Sequence, residues 1–503
     1  MNAGRCRDRL APWLIAGGAA ALYLATASPD CGGVSADAGN YILAMQGISL
    51  ELGRPHLPGS WLLVVALRGL APWCGAHGAL VAVAIACGAA AAGLGFCVLR
   101  RWFAPVDAAL LVAAVATQPL VWFHATVAEV YAFDLMFGVL AVCLGRTRRG
   151  LLALPVVFAL GAGLRLTTPL LLLPLYGWLW HRGRRQGWWT ASVFWRAHAS
   201  AAAVLVLVTW PLLAAAGGLG AYLGLFRTHL TVDWSPARNL WGMSLFLATL
   251  VASVLPLAIA GRWRAWRRSD LAPGARNLLL IWLVPPALFF LLGHYQKGYA
   301  LVLVVPLVAL LAARIAARPR RWLLAGLIAL QTAYFFATPY RQPPVEILVA
   351  PRVRSMGLAE VWWHRVQSTH LMAAARPRAL AAVDAELGEM LAAAPADTVF
   401  VDPTVPLELR ALQVRRPFRA FVVLEVHRRD GWRLHAGTDE QIGTDVAGVL
   451  ARSLLISRRD FARRELAPLG CVAVREGRRL VALRVGPQAA AAAAARYAAL
   501  WER

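Results

Sequence analysis

The sequence predicts an α-helical protein that crosses a membrane many times and ends in a small α/β domain. Three observations predict it. Hydrophobic residues make up 59% of the 503-residue chain and the mean hydropathy is +0.57, a balance that a water-soluble chain of this length does not reach. Apolar runs that cover, or nearly cover, a hydrocarbon core of about 30 Å recur between residues 10 and 339. Beyond Pro339 the runs shorten and charges become frequent, with Pro339, Pro343 and Pro344 as a linker.

The runs fall near 10–27, 77–99, 104–121, 126–145, 151–163, 166–180, 197–216, 240–261, 273–293, 298–314 and 322–339, or about eleven transmembrane helices. The fifth and sixth are short and are divided by Gly161, Gly163 and Arg165, so they read as a helical hairpin. Residues 58–73 hold Trp61, Leu70 and Trp73 around Arg68 and read as an amphipathic helix lying in the interface. Ala25-Thr26-Ala27 also fits a signal-peptide cleavage site. The first run fills a spanning length, and the charge pattern is satisfied when it is retained.

Charge sets the orientation. With the N-terminus in the cytoplasm, 21 arginines fall on that side, including Arg5, Arg100, Arg101, Arg146, Arg182 and Arg320. The other side receives six cationic residues: Arg54, Arg68, Arg165, Arg227, Arg238 and Lys297. The positive-inside rule selects this topology, and an odd number of spans then places residues 340–503 outside. The net charge of +25 is thus spread in short clusters between spans, and no basic, aromatic-interleaved soluble module is present, which argues against nucleic acid as a partner.

In the C-terminal part, 398–401, 418–424, 471–474 and 480–483 read as strands. Helices are expected near 373–394 and 440–456, and the alanine run 489–495 reads as a helical tail. The chain therefore divides into a membrane domain, 1–339, with an outer loop at 28–76, and a soluble extracytoplasmic domain, 340–503.

The residues that carry chemistry cluster on the outer side. The outer loop contains Asp37-Ala38-Gly39-Asn40-Tyr41 and Arg54-Pro55-His56-Leu57-Pro58-Gly59. A carboxylate there can take a proton from an acceptor hydroxyl, and cations can hold a phosphate. Nine acidic residues precede residue 340, so few can serve: Asp8, Asp30, Asp37, Glu51, Asp107, Glu129, Asp134, Asp233 and Asp270. Asp37 is preferred as the base because small residues flank it. Its other reading is a cap for a helix beginning near Gly39 or Asn40. Glu129, in His124-Ala125-Thr126-Val127-Ala128-Glu129-Val130-Tyr131, opens the fourth span, where an ionisable group implies a cavity or a partner on a neighbouring helix.

Arg165 sits where two short helices meet and suits bidentate phosphate binding or snorkelling to the interface. Lys297 is the sole lysine of the chain, in His294-Tyr295-Gln296-Lys297-Gly298-Tyr299. Where the chain needs generic positive charge it uses arginine, so a compact ammonium is either wanted here or a survivor of codon bias. The seven cysteines lack metal-ligand spacing; Cys31 and Cys74 have the placement to pair outside, but the odd total and the intramembrane Cys87, Cys97 and Cys143 make packing the default reading. There is no P-loop, dinucleotide fingerprint or HExxH pattern.

Over residues 10–339 these motifs resemble the GT-C glycosyltransferases, especially protein O-mannosyltransferase-like members and their bacterial relatives. The matching elements are Asp37 after the first span, His56-Leu57-Pro58-Gly59 for a His-Pro-Pro-Gly-like element, Glu129-Val130-Tyr131, Gly163-Leu164-Arg165 and Lys297-Gly298-Tyr299, in the same order. Two departures stand out: Asn40 replaces a second acid, and Leu57 replaces the first proline. The loss of the second acid weakens a two-carboxylate metal site, so no metal ligands are assigned, although a divalent cation remains open as a cofactor.

The resemblance implies a GT-C-like fold in a bacterial inner membrane, with residues 340–503 in the periplasm. It also implies an inverting transferase that uses a polyprenyl-phosphate-linked sugar at the outer face. Its partners would be that donor, the membrane lipid and an acceptor glycan, lipid or protein. In that reading Asp37 is the general base and Arg165 and Lys297 bind the donor phosphate, while His56, Arg54, Glu129 and Tyr131 line the cavity. The alternative is a transporter or flippase of lipid-linked saccharides, in which the same charges bind without reacting. The outer-side concentration of motifs and the lack of an inverted repeat favour the enzyme.

Overall fold

The computed structural model describes residues 3–27, 36–50, 54–55, 57–233, 257, 271–292, 297–336, 385–390, 398–401, 420–427, 431–436, 446–478 and 480–502. The expected span at 240–261 lies outside them apart from Leu257, as does most of the expected helix at 373–394.

Helix α1 (Ala3–Thr26) is the first expected span. It is fastened to the bundle by Tyr23, which is fully buried and donates its hydroxyl to the Ala116 carbonyl at 3.1 Å. Trp122 Nε1 donates to Thr26 Oγ1 at 2.8 Å at the other side of the same contact. Helix α2 (Ala36–Ala44) takes in Asp37, which therefore lies within the helix and not ahead of it as a cap. Arg68 closes the far end of α2 by donating to the carbonyls of Met45 and Ala44 at 2.8 and 3.2 Å, the satisfaction that a helix C-terminus requires.

Helix α3 (Trp61–Leu99) has 39 residues and is broken at Gly75, whose φ of 73° and ψ of 167° are non-helical. Unbroken, it would run about 58 Å, nearly twice a hydrocarbon core. The break separates the segment expected to lie in the interface from the expected span at 77–99.

The next two expected spans, 104–121 and 126–145, are corrected. Helices α4 (Pro105–Ala116) and α5 (Pro119–Thr126) meet at a bend of 65°. Pro119 is the cause: the residue before a proline is driven out of the helical region, and Gln118 has φ −58° and ψ 125°. The Gln118 side chain then caps α5 by accepting from the Val121 N–H at 2.8 Å. After α5 the chain turns extended at Val127 and stays irregular until α6 (Ala132–Leu144), so Glu129 lies in a buried loop and not in a helix.

Helices α7 (Arg148–Leu164), α8 (Thr167–Leu171) and α9 (Leu173–Arg185) form the expected short hairpin, with Arg165 at the break. The remainder comprises α10 (Ala191–Ala215), α11 (Leu219–Asp233), α12 (Pro273–Leu292), α13 (Leu301–Ala312) and α14 (Ala317–Phe336). Trp122, Phe137, Trp282 and Leu303 belong to the continuous apolar core, whereas α10 exposes Trp195, Val206, Leu207 and Trp210. A single helix with that much exposed apolar surface suits a lipid environment. Among the described helices, three are individually long and apolar enough to cross a membrane, α3, α10 and α12, and a fourth crossing results if the bent α4–α5 pair counts as one. At one end of the bundle, buried Asp107 of α4 pairs with Arg320 and Arg321 of α14, tying the two helices together.

The C-terminal strands make one six-stranded sheet in the order β3-β2-β1-β4-β6-β5, from β1 (Thr398–Val401), β2 (Ala420–His427), β3 (Gly431–Ala436), β4 (Leu454–Arg458), β5 (Val472–Glu476) and β6 (Leu480–Arg484). The pairs β1–β2 and β1–β4 are parallel and the others antiparallel. The expected helix at 440–456 is shorter, α15 (Val446–Arg452), because Leu454-Leu455-Ile456 forms a buried strand between β1 and β6. A short apolar run has no period that distinguishes strand from helix, and pairing on both sides decides it. The alanine run lies within α16 (Pro487–Glu502), which packs Ala489, Ala490 and Ala493 on the core of this domain.

Candidate functional site

The bend at Gln118-Pro119 and the irregular loop after Thr126 bring four polar segments to one place. His124, in the last turn of α5, approaches Glu129 of the loop, with Nδ1 and Oε2 2.5 Å apart. Both are buried, at 2% and 6% exposure. The loop reverses tightly, the Glu129 N–H donating to the Val127 carbonyl at 2.8 Å. Its flanking Ala128 and Val130 pack with Ala38 and Tyr41 of α2 and with Leu63, Leu67 and Leu80 of α3. The loop thus lies against the helix that carries Asp37, which is one turn before Tyr41.

Arg165 leaves α7 in an extended conformation, its N–H still bonded to the Gly161 carbonyl at 2.7 Å. Its guanidinium is buried and pairs through Nε with Asp134 Oδ1 at 3.1 Å. Thr168 of α8 donates to the same carboxylate oxygen. The guanidinium carbon also sits 4.5 Å from the Tyr131 ring centre and 5.0 Å from that of Tyr299. These two rings meet edge to face at 5.8 Å, and His124 stands edge-on to Tyr131 at 5.0 Å. Arg165 is therefore held by one carboxylate and two aromatic faces, which fixes its orientation more firmly than snorkelling to an interface would.

Tyr299 belongs to a 3₁₀ turn, Lys297–Ala300, that leads into α13. Gly298 of this turn lies so close to the Tyr131 ring that a Cβ there would overlap it, so only glycine lets the turn dock. The backbone of Lys297 is thereby placed one residue from the Tyr131–Arg165 contact. The side chains of Asp37 and Lys297, and the whole of His56, lie outside the described residues.

Arg54 closes a two-residue bridge with Ser49, exchanging backbone hydrogen bonds of 2.7 and 2.8 Å. The peptide bonds before Pro55 and Pro58 are cis. Further contacts hold this segment: Leu57 packs with Leu50 and Leu212, the Tyr222 hydroxyl donates to the Pro58 carbonyl at 2.5 Å, and Ser60 Oγ lies 3.5 Å from the Tyr41 hydroxyl of α2.

Of the sequence-predicted residues, Glu129, Tyr131 and Arg165 come together with the turn that bears Lys297. Asp134 is the residue that sequence reasoning passed over. Its signal was available: an acid inside the otherwise apolar run 132–144 needs a partner. Among the described residues no three His, Cys, Asp or Glu side chains converge as metal ligands. Cys74 has a free thiol, and Cys31 lies outside the described residues.

No family model matches this sequence, and no curated protein does either. Solved structures do. The crystal structure of ArnT from Cupriavidus metallidurans bound to undecaprenyl phosphate superposes with a TM-score of 0.62 at 16% identity, covering 93% of this chain and 97% of that one. The protein has the fold of ArnT. The apo structure of the same ArnT gives a TM-score of 0.58 at 15% identity, covering 96% and 98%. Coverage on both sides means that the ArnT-like architecture includes the C-terminal domain as well as the membrane bundle. The ArnT-like fold agrees with the expected polytopic helical architecture that ends in a small α/β domain, and it does not single out the expected protein O-mannosyltransferase-like type.

Proposed function

We propose that this protein is an integral-membrane glycosyltransferase that moves a sugar from a polyprenyl-phosphate-linked donor to an acceptor at the outer face of a bacterial inner membrane. The observation that carries this reading is Arg165, buried at one end of an ArnT-like bundle, oriented by Asp134, Tyr131 and Tyr299, and adjoined by the turn that bears Lys297. A guanidinium fixed beforehand, on an element that adjoins the turn of the chain's sole lysine, suits the phosphate that departs as the sugar is transferred. Asp37 is the general base, on the helix packed against the Glu129 loop; the acceptor oxygen that it deprotonates bonds to the anomeric carbon as the bond to the lipid phosphate breaks on the opposite face, which inverts the configuration. Arg54, His56, Glu129 and Tyr131 shape the cavity around the two substrates.

The reading is tested by incubating the purified full-length protein with radiolabelled polyprenyl-phosphate sugars and candidate acceptors. Transfer is expected for at least one donor. Binding of every donor tried without turnover of any would favour a flippase. Lys297→Ala is expected to raise the donor concentration needed for half-maximal rate at least about tenfold, the scale of one charge-assisted phosphate contact. Lys297→Arg should recover part of the loss, since a planar fork does not reproduce an ammonium. Unaltered donor dependence in both variants would remove Lys297 from the site.

Orientation has its own test. A periplasm-dependent phosphatase fused after Pro339 should be active, and a fluorescent protein that matures only in the cytoplasm should stay dark there. The reverse pattern would move the site to the other face of the membrane.

A further inference from the structure

The ends of α3, α6 and α9 that lie farthest from Arg165 carry a second cationic cluster. Arg146 follows α6, and its Nη1 donates to the Val98 carbonyl at 3.5 Å. That same carbonyl accepts the backbone N–H of Arg101 at 3.3 Å, so the two residues meet at the end of α3. Gly145 packs against Leu179 of α9 so closely that a Cβ would come within 2.6 Å of its methyl carbons, which brings the α6–α7 corner to the turn of α9 carrying Arg182. Three segments thus deliver Arg101, Arg146 and Arg182 to one spot.

Among the described residues, no acidic side chain pairs with any of the three. Asp107, the nearest acid in sequence to Arg101, is already engaged by Arg320 and Arg321. Burial first, and then the charges of Arg101 and Arg182, bring Arg146 down to about 10 from its ordinary value. Two half-buried indoles flank the cluster: the Arg146 guanidinium carbon lies 5.6 Å from the Trp102 ring centre, and that of Arg182 lies 5.9 Å from the Trp178 ring centre.

We propose that Arg101, Arg146 and Arg182 form a binding site for the phosphate of an anionic glycerophospholipid in the membrane leaflet opposite the candidate active site. Converging guanidiniums repel one another until an anion lies between them, and their planar forks match phosphate oxygens. Indole rings beside arginines mark the depth of lipid headgroups, which favours a lipid over a soluble anion. The lipid would brace α3, α6 and α9 at the end away from the chemistry.

Native mass spectrometry of the full-length protein, titrated with phosphatidylglycerol, phosphatidylcholine or inorganic phosphate, tests this. Phosphatidylglycerol should be retained and phosphatidylcholine should not, and millimolar inorganic phosphate should fail to displace the lipid. A direct charge-assisted contact to the phosphate is worth about tenfold or more, so R101A/R146A/R182A should weaken retention by at least about a hundredfold. The control R148A/R149A/R184A, exposed arginines at the same end of the bundle, should change it less than about threefold.

If the alanine triple does not fold, R101K/R146K/R182K decides at equal charge: weaker retention supports the site, and unchanged retention overturns it. Equal retention of the two lipids, or equal loss in the control, would reduce the cluster to generic surface charge. Displacement by inorganic phosphate would make it a soluble-anion site and overturn the lipid assignment.

Discussion

An Asp37→Asn protein is expected to bind the lipid-linked donor normally and to transfer its sugar about a thousandfold more slowly. The size follows from the contribution of a positioned general base, roughly 10²–10⁴ in rate. The amide keeps the shape of the carboxylate and one of its two acceptor oxygens but cannot take up the acceptor's proton. Helix α2 is held by the Arg68 cap and by packing of Ala38 and Tyr41, and the near-isosteric amide should leave folding unaffected. Single-turnover transfer, measured alongside donor binding, separates the two effects. A variant that transfers within a few-fold of wild type would dismiss Asp37 as the base, and Glu129 would become the acid to test.

The second large effect concerns folding. Asp134→Ala removes the carboxylate that neutralises Arg165, leaving a buried guanidinium uncompensated, a change that destabilises by about 3–5 kcal/mol. Asp134 is 1% exposed, so water cannot step in without rearrangement. Loss of the monodisperse peak in detergent, or a marked fall in the thermal unfolding temperature, is the expected readout. D134L/R165M replaces the pair with apolar side chains of similar size and should regain most of the stability, because well-packed apolar groups do as well as a buried ion pair. That double variant should still fail to turn over the donor. If Asp134→Ala is as stable as the parent, the Asp134–Arg165 pair does not hold the hairpin break in place.

The sequence by itself determined the mostly helical, strongly apolar character of the chain and several of its helices. Hydropathy located α12 and α14 and the C-terminal ends of α1 and α10 to within a few residues, while α1 and α10 start earlier than expected, because a bilayer demands long apolar runs whatever the tertiary arrangement. It also singled out Glu129, Tyr131, Arg165 and the turn at Lys297, since polar groups in such surroundings are costly and conspicuous.

Other features were decided only by the tertiary structure. The 65° bend at Gln118-Pro119 took Glu129 out of a helix, although Pro119 was in plain view, because a proline can start a helix as readily as it ends one. Leu454-Leu455-Ile456 became a strand through neighbours distant in the chain, β1 and β6. The pairing of Asp134 with Arg165 spans 31 positions and was not legible in the sequence. A lone acid in an apolar run announces that it needs a partner, but only the packing of α6 against α7 and α8 says which cation meets it. The same limit applies to Arg101, Arg146 and Arg182, whose spacing in the chain gives no sign that three corners of the bundle meet.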